Sequence, residues 1–250
     1  MSDIQSNLKG NSVVTDCSNN LDGLAGVVIL AGGASRRMGT AKAMLTLPSG
    51  EQLLDYHVCH ASKLKVPILI ADNGRGFQTG LDVHLEKPNA PIIHIADYGA
   101  DVDSNKHDEQ IKTSGALVAI ESALQTLSDL NDLNDSGVSK AVQASWLLVI
   151  SCDSLIPTTD LWQKLQCEIS RAADKKVICL KDDSHLYPLL GLYQLSIEPD
   201  LKAYIDNSQR RVVQFIQPFV HSVPFTKEWQ NLTNFNTPED FKQACAALPK

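Results

Sequence analysis

Residues 26–42 of the chain read GVVILAGGASRRMGTAK, and the start of this stretch decides the fold. The run GVVILA (26–31) is short, unbroken and rich in β-branched residues, which is typical of a strand buried on both faces of a sheet. Gly32 and Gly33 follow the run directly, and two arginines and a lysine come soon after them. The stretch therefore predicts a buried strand that ends in a flexible, positively charged loop.

Apolar runs alternate with segments of helical spacing along the rest of the chain. Further strands are predicted at 66–71, 90–96, 144–151, 176–180 and 189–195, and helices at 53–64, 114–127 and 158–173. Thr158 or Thr159 is the expected N-cap of the third helix, and Thr237 is the expected N-cap of a last helix that begins at Pro238. Continuous apolar strands that alternate with helices indicate an α/β fold with a mainly parallel sheet and helices on both faces.

The composition restricts the class of protein. The chain has 250 residues, of which 43% are hydrophobic, and its formal net charge is −7. This acidity disfavours binding to nucleic acid. The six cysteines include no CxxC pair, which argues against zinc. No apolar run approaches the roughly 20 residues that span a bilayer, and residues 1–20 lack an apolar signal core. We therefore expect a cytoplasmic protein with no nucleic-acid partner and no membrane contact.

The alternation of strands and helices also indicates the domain organisation. Residues 1–25 are rich in Ser, Asn, Asp and Gly without a clear period, so we expect a disordered N-terminal extension. Residues 26–250 are expected to form a single domain, because the alternation resumes after each interruption. Two polar stretches, 98–113 and 128–143, interrupt it and are interpreted as surface insertions.

The loop after the first strand is a candidate nucleotide site. Ligands of open α/β sheets bind at the carboxyl ends of the strands, and glycine lets backbone N–H groups approach an anion. Arg36, Arg37 and Lys42 could neutralise phosphate charge there. The loop has neither the GxGxxG nor the GxxxxGK[ST] spacing. A nucleotide site and a plain turn with solvated arginines both remain open on this evidence.

Three polar residues follow other predicted strands. Asp153 ends the run LLVISCD, and an aspartate at the tip of a central strand is a suitable Mg²⁺ ligand, although it could also cap a turn. Asp97 ends the third strand and is a second metal or nucleotide contact, or a solvated residue that opens a loop. Asn73 follows the second strand, where its amide could read a base edge or could form an Asn-Gly turn.

Several motifs together resemble a known family. The segment LAGGASRRMGTAK is similar to the LAGGxSxRMGxDK signature of nucleotidyltransferases with a Rossmann-like fold. SGALVAI resembles the segment GPLAGI, SCDSLIP resembles PCDxPxP, and NFNTPEDF resembles NxNTPEDL. The arginine pair in SQRRVVQFI and the NTPED ending together point to the MobA family of molybdenum cofactor guanylyltransferases. The resemblance covers most of residues 26–247.

The resemblance implies a reaction and a set of site residues. GTP and molybdenum-bearing molybdopterin would give the guanine dinucleotide cofactor and pyrophosphate, with Mg²⁺ as the metal and molybdoenzyme chaperones as transient partners. The implied assignments are Leu30, Ala31, Gly32 and Gly33 for guanine and ribose, Arg37 and Lys42 for the triphosphate, Asp153 for Mg²⁺, Asp97 for the nucleotide, and Arg210, Arg211 and Asn236 for the pterin side.

Three positions depart from the family pattern. The acid that precedes the lysine is Ala41, the asparagine near the end of the second strand is Ala71, and the histidine of HPxxGLY is Tyr187. A cytidylyltransferase or another MobA-like nucleotidyltransferase therefore remains an alternative. A nucleotide-binding homologue without catalytic activity is the alternative from another functional class.

Overall fold

Seven strands form one sheet. We describe the fold from a computed structural model that covers residues 23–33, 35, 37–80, 90–97, 115–134 and 145–248. The strands are β1 (Leu24–Leu30), β2 (Ile68–Ala71), β3 (Ile92–Ile95), β4 (Trp146–Ser151), β5 (Val177–Lys181), β6 (Leu186–Gln194) and β7 (Val220–Pro224). Their order across the sheet is β3-β2-β1-β4-β6-β5-β7.

The sheet is mainly parallel, as the alternation of strands and helices predicts. β1 pairs in parallel with β2 and β4, β2 with β3, and β5 with β7. β6 runs antiparallel to both of its neighbours, β4 and β5. Parallel neighbours require a crossover, and the described part of the crossover from β1 to β2 includes the helix at Leu53–Ser62.

The helices cover both faces of this sheet. Those of the described ranges are α1 (Leu53–Ser62), α2 (Ala116–Asn134), α3 (Thr158–Gln166), α4 (Glu198–Asp206), α5 (Val212–Ile216) and α6 (Pro238–Ala246). Val27 and Ile29 belong to the core that includes α1, α3 and α6, whereas Val28 belongs to the core that includes α2, α4 and α5. The alternation of side chains along β1 thus feeds two cores, which explains its continuous apolar sequence.

The register of the central strands assembles one edge of the sheet. Leu30, at the end of β1, pairs with Ala71 of β2 on one side and with Ser151 of β4 on the other. The loops that follow these three strands therefore start side by side. This edge is where open α/β sheets bind their ligands.

Several element boundaries differ from the sequence prediction. β1 begins at Leu24, inside the predicted 1–25 extension, and residues 1–22 lie outside the described part. α2 continues to Asn134, so the predicted end of this helix at residue 127 is wrong, and the helix enters the predicted 128–143 insertion. The helix continues because its leucines do: Leu127 is buried, and Leu130 packs against the same core. Residues 135–143 and the whole 98–113 insertion lie outside the described residues.

The two predicted helix starts have different outcomes. Thr237 is the N-cap of α6: its side chain accepts the N–H of Asp240, whose carboxylate in turn accepts the N–H of Thr237. This capping box confirms the prediction. The prediction of Thr158 or Thr159 as the N-cap of α3 is wrong, because Pro157 occupies that position. α3 also ends at Gln166, and turns follow it.

The longest helix of the described ranges is α2, with 19 residues. None of the helices there combines the length and the apolar composition that crossing a bilayer requires.

Candidate active site

A cavity of about 350 Å³ opens beside the ends of β1 and β4. Seven of the predicted site residues line it: Leu30, Ala31, Gly33, Arg37, Lys42, Asp153 and Asn236. Ser35, Ser151 and Cys152 also line it and were missed by the sequence analysis. The volume lies at the lower end of the range for small-molecule sites. The topology therefore brings together residues from the first loop, the fourth strand and the C-terminal region.

Lys42 is held by contacts from three directions. Its Nζ donates a hydrogen bond of 3.0 Å to Oδ1 of Asn236 and lies 3.8 Å from Oδ2 of Asp153. The same atom lies 5.6 Å from the centre of the Phe235 ring, within cation–π range. The backbone N–H of Lys42 donates to Oγ of Ser35 over 3.2 Å. The lysine is thus oriented into the cavity before any ligand arrives.

Asp153 follows β4 directly and is fixed by its neighbours. Oγ of Ser151 donates to Oδ1 of Asp153 over 2.6 Å, and the Asp153 carbonyl accepts the N–H of Asn234 over 2.8 Å. The Asp153 side chain remains 30% exposed, so a ligand can reach it. Ser151 ends β4 and Asp153 lies in the turn that follows, and a serine two positions before an aspartate at a strand end is the local signal that sequence reasoning overlooked.

The donor set limits the metals that this cavity could hold. In the described ranges, no group of three or more His, Cys, Asp or Glu side chains is placed to bind a metal ion. Mg²⁺ commonly uses one or two carboxylates and takes its other ligands from substrate phosphates and water. Asp153 offers one such carboxylate. The residues therefore fit a Mg²⁺ ion that arrives with a nucleotide.

The glycine pair has two distinct roles. The N–H groups of Ala31 and Gly32 both donate to the carbonyl of Ala71, over 2.9 and 3.0 Å. A Cβ added to Gly32 would lie 2.9 Å from Cβ of Asn73, whereas one added to Gly33 would meet nothing within 4 Å. Gly32 thus permits close packing of two loops, and Gly33 lines the open cavity.

A second cluster of polar residues lies at the ends of β2 and β3, outside the lining of this cavity. Asp72 is buried, its Oδ2 accepts the N–H of Phe77 over 2.9 Å, and it lies 3.6 Å from Nδ1 of His94. Burial, and then the charge of Asp72, raise the pKa of Asp97 to about 6. Asn73 has a positive φ of 56° in the turn beside Gly32. Sequence reasoning missed Asp72, which directly precedes Asn73 in the chain and whose charge acts on Asp97.

The site geometry can be compared with known proteins. A family model described as the MobA-like NTP transferase domain matches residues 27–222. The chain belongs to this family. It is therefore a nucleotidyltransferase, and its cavity lies where the glycine-rich loop of the family domain meets the end of β4.

The matches between this chain and its relatives cover nearly the whole length of each relative. The molybdenum cofactor guanylyltransferase of Haemophilus influenzae is 28% identical over 219 residues, which cover 86% of this chain and 95% of that protein. The protein of the same name from Shewanella baltica is 25% identical over 225 residues, which cover 89% and 96%. Molybdopterin-guanine dinucleotide biosynthesis protein A of Archaeoglobus fulgidus has the same fold, with a TM-score of 0.62 at 21% identity over 89% of this chain and 100% of that chain.

The arginines that the MobA resemblance assigns to the pterin side contact the end of α4. Nη1 of Arg210 donates to the carbonyls of Ile205 and Gln209, over 2.7 Å in both cases. Arg211 is the exposed N-cap of α5, and its carbonyl accepts the hydroxyl of Tyr204. Neither arginine is among the residues that line the cavity. Their role towards the pterin stays a prediction, and Arg36 lies outside the described residues.

The three departures from the MobA signature have clear local structures. Ala41 is the N-cap of the 3₁₀ turn Lys42–Met44 and makes no side-chain hydrogen bond there. Ala71 is buried, and its carbonyl takes the two amides described above. The Tyr187 hydroxyl donates to Oδ2 of Asp182 over 2.6 Å, and its ring packs against Phe225 at 4.5 Å. Only the first of these lies beside a charged residue of the cavity.

Proposed function

We propose that this MobA-like nucleotidyltransferase transfers GMP from GTP to molybdenum-bearing molybdopterin. The products are molybdopterin guanine dinucleotide and pyrophosphate. The observation that carries the proposal is the arrangement of Lys42, Asp153 and Asn236 around one cavity at the ends of β1 and β4. The names of the H. influenzae and S. baltica relatives support this choice of donor and acceptor.

The chain's own residues can support such a transfer by binding and by charge. A phosphate oxygen of the pterin attacks the α-phosphorus of GTP, one new P–O bond forms, and the bond to the pyrophosphate oxygen breaks with its electron pair on pyrophosphate. Lys42 and Arg37 would stabilise negative charge on the triphosphate, and Asp153 would hold Mg²⁺. When bound, the metal supplies neutralisation of phosphate charge. Positioning and electrostatics are sufficient for this kind of step.

The state of the nearby thiol agrees with a direct transfer. Cys152 lines the cavity, but burial, and then the charge of Asp153, raise the pKa of its thiol to about 12. A thiol that stays protonated at neutral pH is a poor nucleophile. A covalent intermediate on this cysteine is therefore disfavoured.

The remaining residues have proposed roles in recognition. Leu30, Ala31 and Gly33 would contact guanine and ribose at the cavity wall, with Gly32 behind them. Asn73 and Asp97 would lie towards the nucleotide from the ends of β2 and β3, and Arg210, Arg211 and Asn236 towards the pterin. The cytoplasmic location and the transient contact with molybdoenzyme chaperones stay predictions.

A direct transfer assay tests the proposal. The protein is incubated with Mg²⁺, molybdenum-loaded molybdopterin and radiolabelled GTP or CTP, and the dinucleotide and pyrophosphate are quantified. We expect transfer from GTP. Transfer from CTP alone would replace the proposal with the cytidylyltransferase alternative, and nucleotide binding without pyrophosphate release would favour a non-catalytic homologue. Asp153→Asn should lose transfer, and Asp160→Asn, a change at an exposed aspartate of α3, is the matched control.

A further inference from the structure

Lys42 has a hydrogen-bond acceptor although its sequence neighbour is not an acid. The family signature has an acid directly before this lysine, and the chain has Ala41. The acceptor here is Oδ1 of Asn236, 3.0 Å from Nζ and 194 positions away along the chain. The side chain of Lys42 is only 15% exposed. The C-terminal region therefore supplies the acceptor for this lysine.

Asn236 is itself held in one orientation. Its Nδ2 donates to the carbonyl of Asn234 over 3.0 Å, which identifies the nitrogen side of the amide and directs Oδ1 to the lysine. Its backbone N–H donates to Oδ2 of Asp240 over 3.0 Å. Asp240 also closes the capping box of α6 with Thr237. The start of a helix thus anchors the acceptor.

The ring of Phe235 limits the movement of the same lysine. Phe235 is 1% exposed, and the centre of its ring lies 5.6 Å from Nζ of Lys42. A free lysine side chain loses rotamer entropy when it is ordered. A lysine that is already ordered avoids most of this loss when a phosphate binds. A neutral amide oxygen also orients the ammonium group without neutralising its charge.

We propose that Asn236 is a positioning residue for Lys42 and supplies an acceptor that the side chain of Ala41 cannot supply. Asn236 holds Nζ at the cavity wall, so that its positive charge meets the triphosphate of the nucleotide. This inference rests on the proposed function, because it takes a nucleoside triphosphate as the ligand of Lys42. It gives Asn236 a task on the nucleotide side in addition to the pterin side.

The test measures binding of GTP–Mg²⁺ and of tripolyphosphate–Mg²⁺ by calorimetry in the absence of acceptor. Asn236→Ala is expected to weaken both about tenfold, the usual size for a lost hydrogen bond to a charged group. In a Lys42→Ala background the same change should weaken binding by less than about twofold, because the two residues act together. Asn231→Ala, a change at an exposed asparagine of the same C-terminal region, is the control and should have no effect.

A second-site variant separates positioning from acceptor binding. Ala41→Asp added to Asn236→Ala should restore affinity to within about threefold of the unmodified protein, because it returns an acceptor beside the lysine. An acceptor-side role alone would leave nucleotide binding unchanged in Asn236→Ala and raise only KM for the pterin, which would overturn the inference. An equal loss of nucleotide affinity on Asn236→Ala in the presence and in the absence of Lys42 would overturn the inference as well.

Ala41→Asp alone keeps the inference testable if Asn236→Ala does not fold. We expect less than about a twofold change in affinity, because Lys42 already has an acceptor, and a tenfold gain would contradict the inference. Failure of the proposed function gives a different pattern. A protein that transfers no GMP but binds tripolyphosphate with the expected variant effects would retain the role of Asn236, and one that binds no tripolyphosphate would lose both.

Discussion

The hydroxyl of Ser151 donates a 2.6 Å hydrogen bond to Oδ1 of Asp153, two positions further along the chain. Oδ2 of the same carboxylate lies 3.8 Å from Nζ of Lys42. The two contacts orient the carboxylate at the cavity wall. The position of Ser151 corresponds to a proline in the family segment PCDxPxP, so this donor is a feature of this chain.

Ser151→Ala should weaken the response of the enzyme to Mg²⁺. Loss of the hydroxyl frees the Asp153 carboxylate to rotate, and partners of metal ligands commonly contribute tenfold or more to metal affinity. We expect the Mg²⁺ concentration for half-maximal nucleotide binding to rise about tenfold. Calorimetric titration of GTP at a series of Mg²⁺ concentrations measures it. Ser196→Ala, at an exposed serine, is the control, and an unchanged Mg²⁺ requirement in Ser151→Ala would contradict the role.

Lys42→Ala should lower the rate of transfer on the order of 10²-fold. The reason is the loss of one preorganised cation that stabilises charge in the transition state. Single-turnover kinetics with saturating GTP separate this loss from weaker binding. Lys242→Ala removes an exposed lysine from α6 and should leave the rate unchanged. A Lys42→Ala enzyme with full activity would remove the lysine from the proposed site.

Gly32→Ala and Gly33→Ala should impair different properties: the first the stability of the fold, the second nucleotide binding. The added methyl of Gly32→Ala would lie 2.9 Å from Cβ of Asn73 and 3.2 Å from its backbone N, so the loops must separate. We expect a loss of about 1–3 kcal/mol in the free energy of unfolding. Gly33→Ala should change this free energy by less than about 0.5 kcal/mol but weaken nucleotide binding, because its methyl enters the cavity.

Urea unfolding and calorimetry measure the two effects separately. Equal stability losses in both glycine variants would show that crowding beside Asn73 is not the cause. Undiminished nucleotide binding by Gly33→Ala would place the ligand away from this wall.

Glu121→Gln should stabilise the protein at alkaline pH. Glu121 is buried in α2, and burial, followed by the hydrogen bond and charge of Glu198, raises its pKa from 4.5 to about 8, with Lys202 opposing and Asp206 adding to the shift. The folded state keeps this proton between about pH 4.5 and 8, whereas the unfolded chain releases it. Stability therefore falls as pH rises through this window.

The glutamine variant removes the charged form and keeps an acceptor for Gln125, which donates to Oε1 of Glu121 over 3.2 Å. The free energy of unfolding of Glu121→Gln should exceed that of the unmodified protein at pH 8.5 and match it more closely at pH 5. Urea titrations at both values measure it. Glu228→Gln changes an exposed glutamate and should show no such difference. A larger gain at pH 5 than at pH 8.5 would have the wrong sign.

The sheet was largely predictable because its strands are local patterns. The run 26–31 lies almost entirely within β1, and its continuous apolar sequence follows from burial on both faces. The end of α2 was not predictable from composition, because Asn and Asp at 128–134 suggested a loop. Leucines at helical spacing, including Leu130, keep this polar segment helical by packing on the core.

Short motifs in the sequence identified only part of the site. The glycine pair and Asp153 follow strands directly, so their place at the edge of the sheet follows from strand direction alone. Ser35 matches the serine of the family signature but was given no role, and Ser151 and Asp72 match no residue of the motifs. Ser35 and Ser151 act through hydrogen bonds to Lys42 and Asp153, and Asp72 acts through its charge on Asp97; these relations require the folded chain.

The sequence by itself determined the α/β architecture, the family and the capping box of α6, because each depends on residues a few positions apart. Only the tertiary structure decided which acceptor serves Lys42. A contact between residues 194 positions apart depends on the order of strands in the sheet and on the return of the chain before α6. No periodicity or motif spacing encodes such a contact, since it arises from the packing of the whole domain.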